Sequence, residues 1–390
     1  MLPGIGVFGT GALASALVPL LRERGFKIEA LWGRTIQEAE QTAKELNIPF
    51  YTNKIDEVLL RKHVDLIFII CPPYLHSQIS VKALGIGKHV VCDKPAGLNQ
   101  LDASKMVRAC QYYPSLISIL NHSLRFFPAF TKMYEVLRGG YLGDIDDISN
   151  VDVRVQMASL LHNKYDWLCD ATMGGGILNL VGSHIIDLIK FLTNKTAVRV
   201  HGTIRTFTKT TPYVNGIRHV SAPDFCTFQM ELENGCLVTA TLSSHIPGAK
   251  FQQEVVMCSR TGHLAVRGGD LYGCCYEIHR DSGSNKEVVL YMDDQDVAQS
   301  QGVDILPMPY IKGLCKLTGA LREAFLPVED KAGWIKEPVQ LAASFEDGLY
   351  VQAVLDAIKK SSNERTWVDI DLMTEVNNKE NSVRVQNSLQ

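Results

Sequence analysis

The chain lacks an excess of charge of either sign. Its 390 residues include 39 Lys and Arg against 42 Asp and Glu, which gives a formal net charge of −3 at pH 7. A strongly basic surface is what attracts nucleic acid or an anionic membrane, and this composition does not supply one. We therefore expect neither of them as a partner.

The ten cysteines lack the spacing of a metal site or of a disulfide framework. None forms a C-x-x-C motif, and apart from the adjacent Cys274 and Cys275 they are scattered along the chain. Such a distribution is typical of buried free thiols in a reducing compartment. We expect a cytoplasmic protein without a bound metal.

Long apolar runs are also missing, so we expect no segment that crosses a bilayer. The apolar stretch from Leu13 to Leu21 has no basic segment before it, unlike a secretory signal peptide. The alternative to a cytoplasmic location is secretion without an evident signal.

What the chain does have is a glycine motif close to its start. A short apolar strand at residues 5–8 is followed by Gly9-x-Gly11-x-x-Ala14 and by a helical pattern to about residue 24. The first glycine allows a tight turn, and the second lets the main chain approach a pyrophosphate that faces the first N–H groups of the helix. The alternative is an ordinary strand, turn and helix. The predicted nucleotide contacts are Gly9, Thr10, Gly11, Ala12 and Leu13.

The end of the second predicted strand, residues 28–32, lacks the acidic residue that usually holds the ribose diol of NAD. The chain continues there with Gly33 and Arg34. An arginine at this point can pair with a 2′-phosphate and stack on adenine, which favours NADP. The alternative interpretation is a solvated surface arginine.

The order of strand and helix patterns predicts an α/β protein of two domains. Strands and helices alternate over residues 1–125, which predicts a parallel sheet covered on both faces. Residues 126–374 are rich in short strands separated by turns, a pattern typical of a largely antiparallel sheet. After its strands begin, the β-rich region at residues 145–290 supplies only one long helix before residue 310, so we expect a bare apolar sheet face and a homodimer built sheet to sheet. The last helices of the chain are expected to pack back on the first domain. The polar tail, residues 375–390, is predicted to be disordered.

Three further motifs support a resemblance to a known protein family. They are CPPYLH at residues 71–76, CDKP at 92–95, and GGG at 174–176 leading to GSHIID at 182–187. With the glycine motif, they resemble the glucose-fructose oxidoreductase, inositol dehydrogenase and MocA family over about residues 3–372. Stretches such as 30–35 (ALWGRT), 55–59 (IDEVL) and 224–230 (DFCTFQM) are similar to the animal glucose-fructose oxidoreductase domain-containing proteins.

The resemblance implies an N-terminal Rossmann domain and a substrate held between the domains, over the nicotinamide. The family's Glu-Lys-Pro motif matches residues 93–95, so Lys94 is implied to bind the oxygen of the reacting carbon and to take part in proton transfer. A partly desolvated ammonium suits this task, because its pKa moves toward neutrality. His184 matches the family's general acid or base. The family carries an aspartate four residues earlier, where this chain has Leu180.

The same resemblance implies further site residues. The cofactor contacts implied by the loops after the fourth and fifth strands are Cys71, Pro72, Tyr74, His76, Asp93 and Lys94. The implied substrate contacts are Asn121, Arg125, Tyr165, Trp167 and His184. Taken alone, Arg125 could equally fix the crossover between the domains, and Tyr165 and Trp167 could belong to the core.

These observations predict an NADP-dependent oxidoreductase that transfers a hydride between nicotinamide and a small sugar, polyol or carbonyl compound. The alternative is a catalytically impaired NADP(H)-binding protein, a sensor or an assembly module. Leu180 is the residue that favours the alternative.

Overall fold

The computed structural model describes residues 2–161, 164–210, 219–276, 286–293, 306–326 and 334–373. The predicted disordered tail at 375–390 lies outside these residues. The helices are α1 Ala12–Glu23, α2 Ile36–Glu45, α3 Ile55–Leu59, α4 His76–Gly85, α5 Gln100–Tyr112, α6 Pro128–Arg138, α7 Ser183–Thr193, α8 Met308–Phe325 and α9 Phe345–Glu364. The strands are β1 Gly4–Phe8, β2 Lys27–Trp32, β3 Tyr51–Thr52, β4 Leu66–Ile69, β5 His89–Asp93, β6 Ser118–Asn121, β7 Ile148–Gln156, β8 Ala197–Arg205, β9 Phe225–Leu232, β10 Leu237–Ser243, β11 Gln252–Ser259, β12 Gly262–Arg267, β13 Asp270–Cys275, β14 Val288–Tyr291, β15 Ala343–Ser344 and β16 Val368–Asp369.

The first sheet has the strand order β15-β6-β5-β4-β1-β2-β3. Strands β1 to β6 run parallel, as the βαβ pattern predicts. The seventh strand, β15, comes from near the end of the chain and pairs with β6 in the antiparallel direction. Strand β4 is buried along its whole length because helices cover both faces of the sheet. The α/β class and the parallel first sheet are confirmed.

Helix α8 packs against the first sheet although it follows the second domain in sequence. Its Leu314, Leu317 and Leu321 join the same apolar cluster as Leu17 and Leu21 of α1. Close approach is possible because Gly313 has no side chain, and a Cβ at this position would overlap the main chain of Ser123. The first domain is therefore completed by residues from the last quarter of the chain.

The second sheet has nine strands in the order β14-β13-β12-β11-β7-β10-β9-β8-β16. Neighbouring strands are antiparallel except β7 and β10, which are parallel. One face packs against α6, α7 and α9, through residues such as Phe130, Ile186 and Val354. The prediction of a largely antiparallel sheet in the second domain is confirmed.

The opposite face of this sheet, the open face, is polar. Paired positions on neighbouring strands carry Thr227 with Thr241 and Arg199 with Glu231, and such cross-strand pairs stabilise a solvated surface. The polar side chains of this face include Asp152, Arg154, Arg199, His201, Thr227, Gln229, Glu231, Thr239, Thr241, Glu254 and Arg267. The expectation of an apolar face was wrong, because strands such as β7 and β9 alternate a buried, mostly apolar residue with a more exposed, mostly polar one.

One segment, Ala171–Thr193, is long and apolar enough to cross a membrane by length and composition, contrary to the expectation from the sequence. Of its most apolar 18-residue window, 83% is buried inside the fold, where it forms the core of the second domain. The triple glycine before the helical part is required by the backbone, since Gly174 and Gly176 have φ of 93° and 101°.

Candidate active site

A cleft of about 840 Å³ opens at the carboxyl ends of the strands of the first sheet. Its walls come from the loops after β1, β2, β4, β5 and β6 with part of α2, from residues after β7 and before β11, from the segment before α7 and its first turn, and from the start of α8. Ligands of open α/β sheets bind at this end of the strands. Of the residues predicted from the sequence to contact cofactor or substrate, the lining includes all but His76, Arg125 and Tyr165.

The glycine motif forms one end of the cleft. Gly9 has φ of 136°, and a Cβ there would lie 2.8 Å from the carbonyl oxygen of Ile70, so this position requires glycine. Gly11 caps α1 with ordinary extended backbone, and a Cβ there would meet no atom of the fold within 4 Å. Gly11 is thus unnecessary for packing, and its Cβ would occupy the space in front of the helix N-terminus.

Arg34 lies beside this loop, at the end of β2. Its Nη2 donates to Glu38 Oε1 at 3.0 Å, and the side chain is 61% exposed. Thr35 caps α2 by accepting from the Glu38 main-chain N–H, but the Glu38 side chain turns to Arg34 instead of returning to Thr35. Behind Arg34, the indole N–H of Trp32 is buried and has no hydrogen-bond partner among the described residues.

Some residues of the loop after β4 line the cleft, and one residue after it is buried behind the cleft. Cys71, Pro72 and Tyr74 line the cleft. His76 is not among the lining residues and is buried behind them, so its predicted cofactor contact stays a prediction. Its Nδ1 lies 2.8 Å from the carbonyl oxygen of Pro95 and its Nε2 lies 2.7 Å from that of Cys71.

Burial lowers the pKa of His76. The neutral ring has a single N–H and donates to one of these two carbonyl oxygens at a time. His76 therefore joins the loops after β4 and β5 from behind the cleft.

Lys94 follows β5 and is held by the main chain of the second domain. Its Nζ donates to the carbonyl oxygen of Leu180 at 2.9 Å. Burial lowers the pKa of Lys94, and the neighbouring Asp93 opposes this in part. Asp93 in turn accepts a hydrogen bond from the Asn121 side-chain amide at 3.1 Å. The cleft therefore contains an ammonium whose proton is easier to release than that of an ordinary lysine.

His184 stands one helical turn after Leu180. The chain makes a π-turn at Leu178–Gly182 before α7, in which the Ser183 N–H donates to the carbonyl oxygen of Leu178. His184 is 3% exposed. Burial lowers its pKa well below the ordinary value, and Lys94 and His122 lower it further. His184 is therefore neutral at physiological pH and can accept a proton.

Two rings surround His184. The ring of His122 meets it edge-on, with centroids 5.4 Å apart, and the ring of Tyr310 lies at 4.8 Å with a tilt of 58°. Nδ1 of His184 has no hydrogen-bond partner among the described residues. Leu180 is aliphatic, so its side chain cannot orient the imidazole by a hydrogen bond.

Arg125 is buried and is not among the residues that line the cleft, so its predicted substrate contact stays a prediction. Its guanidinium binds Asp187 through two hydrogen bonds of 2.6 and 2.8 Å, and it also lies 3.1 Å from Asp347. Burial alone would raise the pKa of Asp347, but Arg125 and Lys190 more than offset this and lower it to about 2. Arg125 therefore ties the exit of the first domain to α7 and α9, which is the crossover interpretation weighed above.

The two aromatic residues before the triple glycine, Tyr165 and Trp167, differ in their position relative to the cleft. Trp167 lines the cleft. Tyr165 does not, and its ring packs against a small buried cluster of Cys169, Val220 and Ala222. The predicted substrate contact of Tyr165 stays a prediction, and in the structure its ring takes part in local packing.

Tyr310 and the Leu180 carbonyl were missed from the sequence. Tyr310 lies in the first turn of α8, in a segment that no motif marks. A main-chain carbonyl leaves no trace in the residue pattern. Among the residues that the structure describes, no three His, Cys, Asp or Glu side chains could together hold a metal ion.

Two observations indicate that the cleft can hold a dinucleotide. The open space at Gly11, in front of the N–H groups of α1, accepts a pyrophosphate. The unpartnered N–H of Trp32 supplies a buried donor near Arg34.

Comparison with known proteins gives consistent findings. A family model described as an oxidoreductase family with an NAD-binding Rossmann fold matches residues 4–119, and the model of the GFO/IDH/MocA C-terminal domain matches 130–264. The chain is 47% identical to glucose-fructose oxidoreductase domain-containing protein 1 of Xenopus tropicalis, over 96% of this chain and 94% of the relative. It is 46% identical to the human domain-containing protein 2, over 96% and 95%. A levoglucosan dehydrogenase with bound NADH and levoglucosan shares the fold, with a TM-score of 0.76 at 16% identity, covering 94% of this chain and 99% of that chain.

Proposed function

The chain belongs to the GFO/IDH/MocA oxidoreductase family, and on that premise we propose that it is an NADP-dependent oxidoreductase acting on a small sugar, polyol or carbonyl compound. The observation that carries the proposal is that Lys94 and His184 meet at one cleft with the dinucleotide loop. Lys94 reaches Leu180, one turn before His184, and its charge lowers the pKa of His184.

In this proposal the glycine loop, Arg34, Cys71 and Pro72 hold the nucleotide. A bound nicotinamide supplies the acceptor or donor of the hydride. The Lys94 ammonium binds the oxygen of the reacting carbon and stabilises the negative charge that develops there. Because the Leu180 carbonyl takes one of its three N–H donors, the other two remain for the substrate.

His184 accepts the proton of the substrate hydroxyl when an alcohol is oxidised and returns it when a carbonyl is reduced. A neutral imidazole can accept the hydroxyl proton during oxidation without first losing a proton of its own. During oxidation the proton passes from the substrate hydroxyl to the buried ring, and it is released to solvent before the next turnover, so that His184 starts each cycle neutral.

Arg34 supports NADP over NAD, since it lies where a 2′-phosphate would extend from the adenosine ribose and no acid occupies the strand end. The sugar substrate class is supported by the related fold of levoglucosan dehydrogenase, whose structure contains that sugar and NADH.

The proposal is tested with purified protein loaded with NADP+ or NADPH. Absorbance at 340 nm follows turnover on a panel of sugars, inositols and dicarbonyl compounds. We expect turnover by the wild type and a loss of at least about a hundredfold in kcat for Lys94→Met, with NADPH affinity changed by no more than a few fold. Turnover that survives Lys94→Met would reject Lys94 as the catalytic group.

A second candidate function is favoured by Leu180. Without a carboxylate beside His184, the chain would bind NADP(H) as a sensor or an assembly module and catalyse no hydride transfer. Binding of NADPH without turnover on the whole panel would select this candidate.

We also propose a homodimer through the open face of the second sheet. Its Arg and Glu side chains alternate across strands, so two copies related by a twofold axis can place opposite charges against each other. A monomeric mass by light scattering at micromolar concentration would reject the dimer.

A further inference from the structure

The hydroxyl group of Tyr310 is buried and has no hydrogen-bond partner among the described residues. Burial raises the pKa of Tyr310, so the phenol keeps its proton at physiological pH. A buried hydroxyl without a partner costs on the order of 1–3 kcal/mol, and most buried polar groups in native proteins are paired. The fold therefore retains a donor that its own atoms do not use.

Tyr310 lines the active-site cleft and is held there from two sides. Its ring lies against the His184 ring at 4.8 Å and against the Phe251 ring at 6.0 Å. The helix that carries it is fixed to the first domain at Gly313, where the main chain of Ser123 leaves no room for a side chain. The phenol is thus a positioned group and not a loose side chain at the rim.

Two other polar atoms in the same cleft are also buried without a partner among the described residues. They are Oδ1 of Asn121 and Nδ1 of His184. With Tyr310, they come from the end of β6, from α7 and from α8. A ligand that satisfies groups on three elements at once must itself carry several hydroxyl or carbonyl oxygens.

We infer that the Tyr310 hydroxyl donates a hydrogen bond to an oxygen of a polyol or sugar bound beside His184. This inference rests on the proposed function and specifies one contact of its substrate. Tyr310 supplies a hydrogen-bonding side chain to a site where position 180 supplies none.

The test compares Tyr310→Phe with Tyr350→Phe. The Tyr350 hydroxyl is also buried, but it accepts a hydrogen bond from the Ala197 main-chain N–H at 2.9 Å, inside the second domain and outside the cleft. Three quantities are measured: the free energy of unfolding in urea, the Kd of NADPH, and the Kd of xylitol, myo-inositol and D-glucose for the NADPH-loaded protein by calorimetry. Where turnover is found, kcat/KM is added.

We expect Tyr310→Phe to be at least as stable as the wild type and to bind NADPH within about twofold, because it removes a hydroxyl that the fold does not satisfy. Its affinity for the best polyol or sugar, and its kcat/KM, should fall about tenfold. Tyr350→Phe should show the reverse, with lower stability and unchanged ligand affinity.

The outcomes separate the inference from the proposed function. Polyol affinity unchanged in Tyr310→Phe, with turnover intact, overturns the inference alone. A loss of stability in Tyr310→Phe also overturns it, since the hydroxyl would then have a partner within the fold. Binding that depends on Tyr310 without hydride transfer supports the inference and rejects the proposed function. No binding of any of the three probes by the wild type rejects both.

Discussion

The Lys94 ammonium donates a hydrogen bond to the main-chain carbonyl oxygen of Leu180, at the position where the resemblance to the family implies an aspartate. A carbonyl oxygen does not titrate and is present whatever side chain occupies the position. A leucine at position 180 therefore keeps the hydrogen bond to Lys94. The only difference is that position 180 places no carboxylate beside His184.

Leu180→Asp should return that carboxylate. Leu180 lines the cleft and is partly exposed, so an aspartate there can stay ionised at a modest cost in stability. A negative charge near His184 favours the imidazolium and raises the pKa of His184 from its lowered value.

We expect a higher kcat for alcohol oxidation at pH 8, and an acid limb of kcat/KM that moves to higher pH. Leu180→Asn is the matched control, because it is polar but uncharged, and it should leave the limb in place. An equal shift in both variants would exclude an electrostatic cause.

Gly11→Val should abolish NADPH binding without loss of stability. A side chain at Gly11 meets no atom of the fold within 4 Å, yet it enters the space where a pyrophosphate would lie. Gly9→Val should instead lower the free energy of unfolding, because its Cβ would lie 2.8 Å from the Ile70 carbonyl oxygen. Fluorescence titration and urea unfolding of both variants measure the two effects. Normal NADPH binding by Gly11→Val would mean that the motif is structural only.

Arg34 and Glu38 should set the preference between NADPH and NADH. We expect NADPH to bind at least about tenfold tighter than NADH, the effect of one charge-assisted contact. Arg34→Ala should remove the preference. Glu38→Gln should strengthen NADPH binding by a few fold, since it releases Arg34 from its 3.0 Å ion pair and removes a negative charge near the phosphate. Calorimetry with both nucleotides measures these affinities, and a wild type that prefers NADH would refute the assignment.

Arg125→Met should destabilise the protein by about 3–5 kcal/mol, since it leaves the buried Asp187 without its partner. Arg199→Met on the open face is the control, and its exposed pair with Glu231 should cost less than about 1 kcal/mol. Urea unfolding measures both. A raised KM with little change in stability would support the substrate role that the sequence suggested for Arg125.

His89 should make stability fall in acid. Burial lowers its pKa from 6.5 to about 4, and its Nδ1 accepts from the Ile117 N–H. The unfolded chain gains a proton near pH 6.5 while the folded chain does not until about pH 4, so between these values unfolding becomes more favourable as pH falls. The full effect is on the order of 3 kcal/mol. In urea unfolding, His89→Asn, which keeps the acceptor, should lose less stability than the wild type as pH falls from 6.5 to 4, whereas the exposed His63→Asn should match the wild type. The buried His76 and His184, whose pKa is also lowered, keep the rest of the pH dependence in both variants.

The sequence predicted the parts of the site that follow local rules. The glycine motif and Lys94 lie after strands of a parallel sheet, and parallel strands bring their ends to one edge. Arg125 was uncertain because its partner Asp187 lies 62 residues later. Tyr310 was missed because no motif marks its segment, and its approach to His184 is a tertiary contact that local patterns do not encode.

The open face shows a second limit of prediction from the sequence. The alternation of apolar and polar residues along β9 was visible in the sequence, for example at Thr227, Gln229 and Glu231. It predicts a solvated outer face directly, whereas the number of helices does not show which residues face outward. The composition of the apolar segment Ala171–Thr193 likewise does not show whether it is buried, because its burial depends on the sheet that it packs against.

The pairing of β15 with β6, and the packing of α8 beside α1, also bear on how the chain is made. During synthesis the nucleotide loop emerges from the ribosome well before α8 and β15, and until α8 has emerged the apolar face that it covers is open to solvent. A fragment that ends near residue 125 would carry the whole glycine motif and still expose Leu17, Leu21 and Ile119. We therefore expect such a fragment to aggregate rather than to fold as a separate unit.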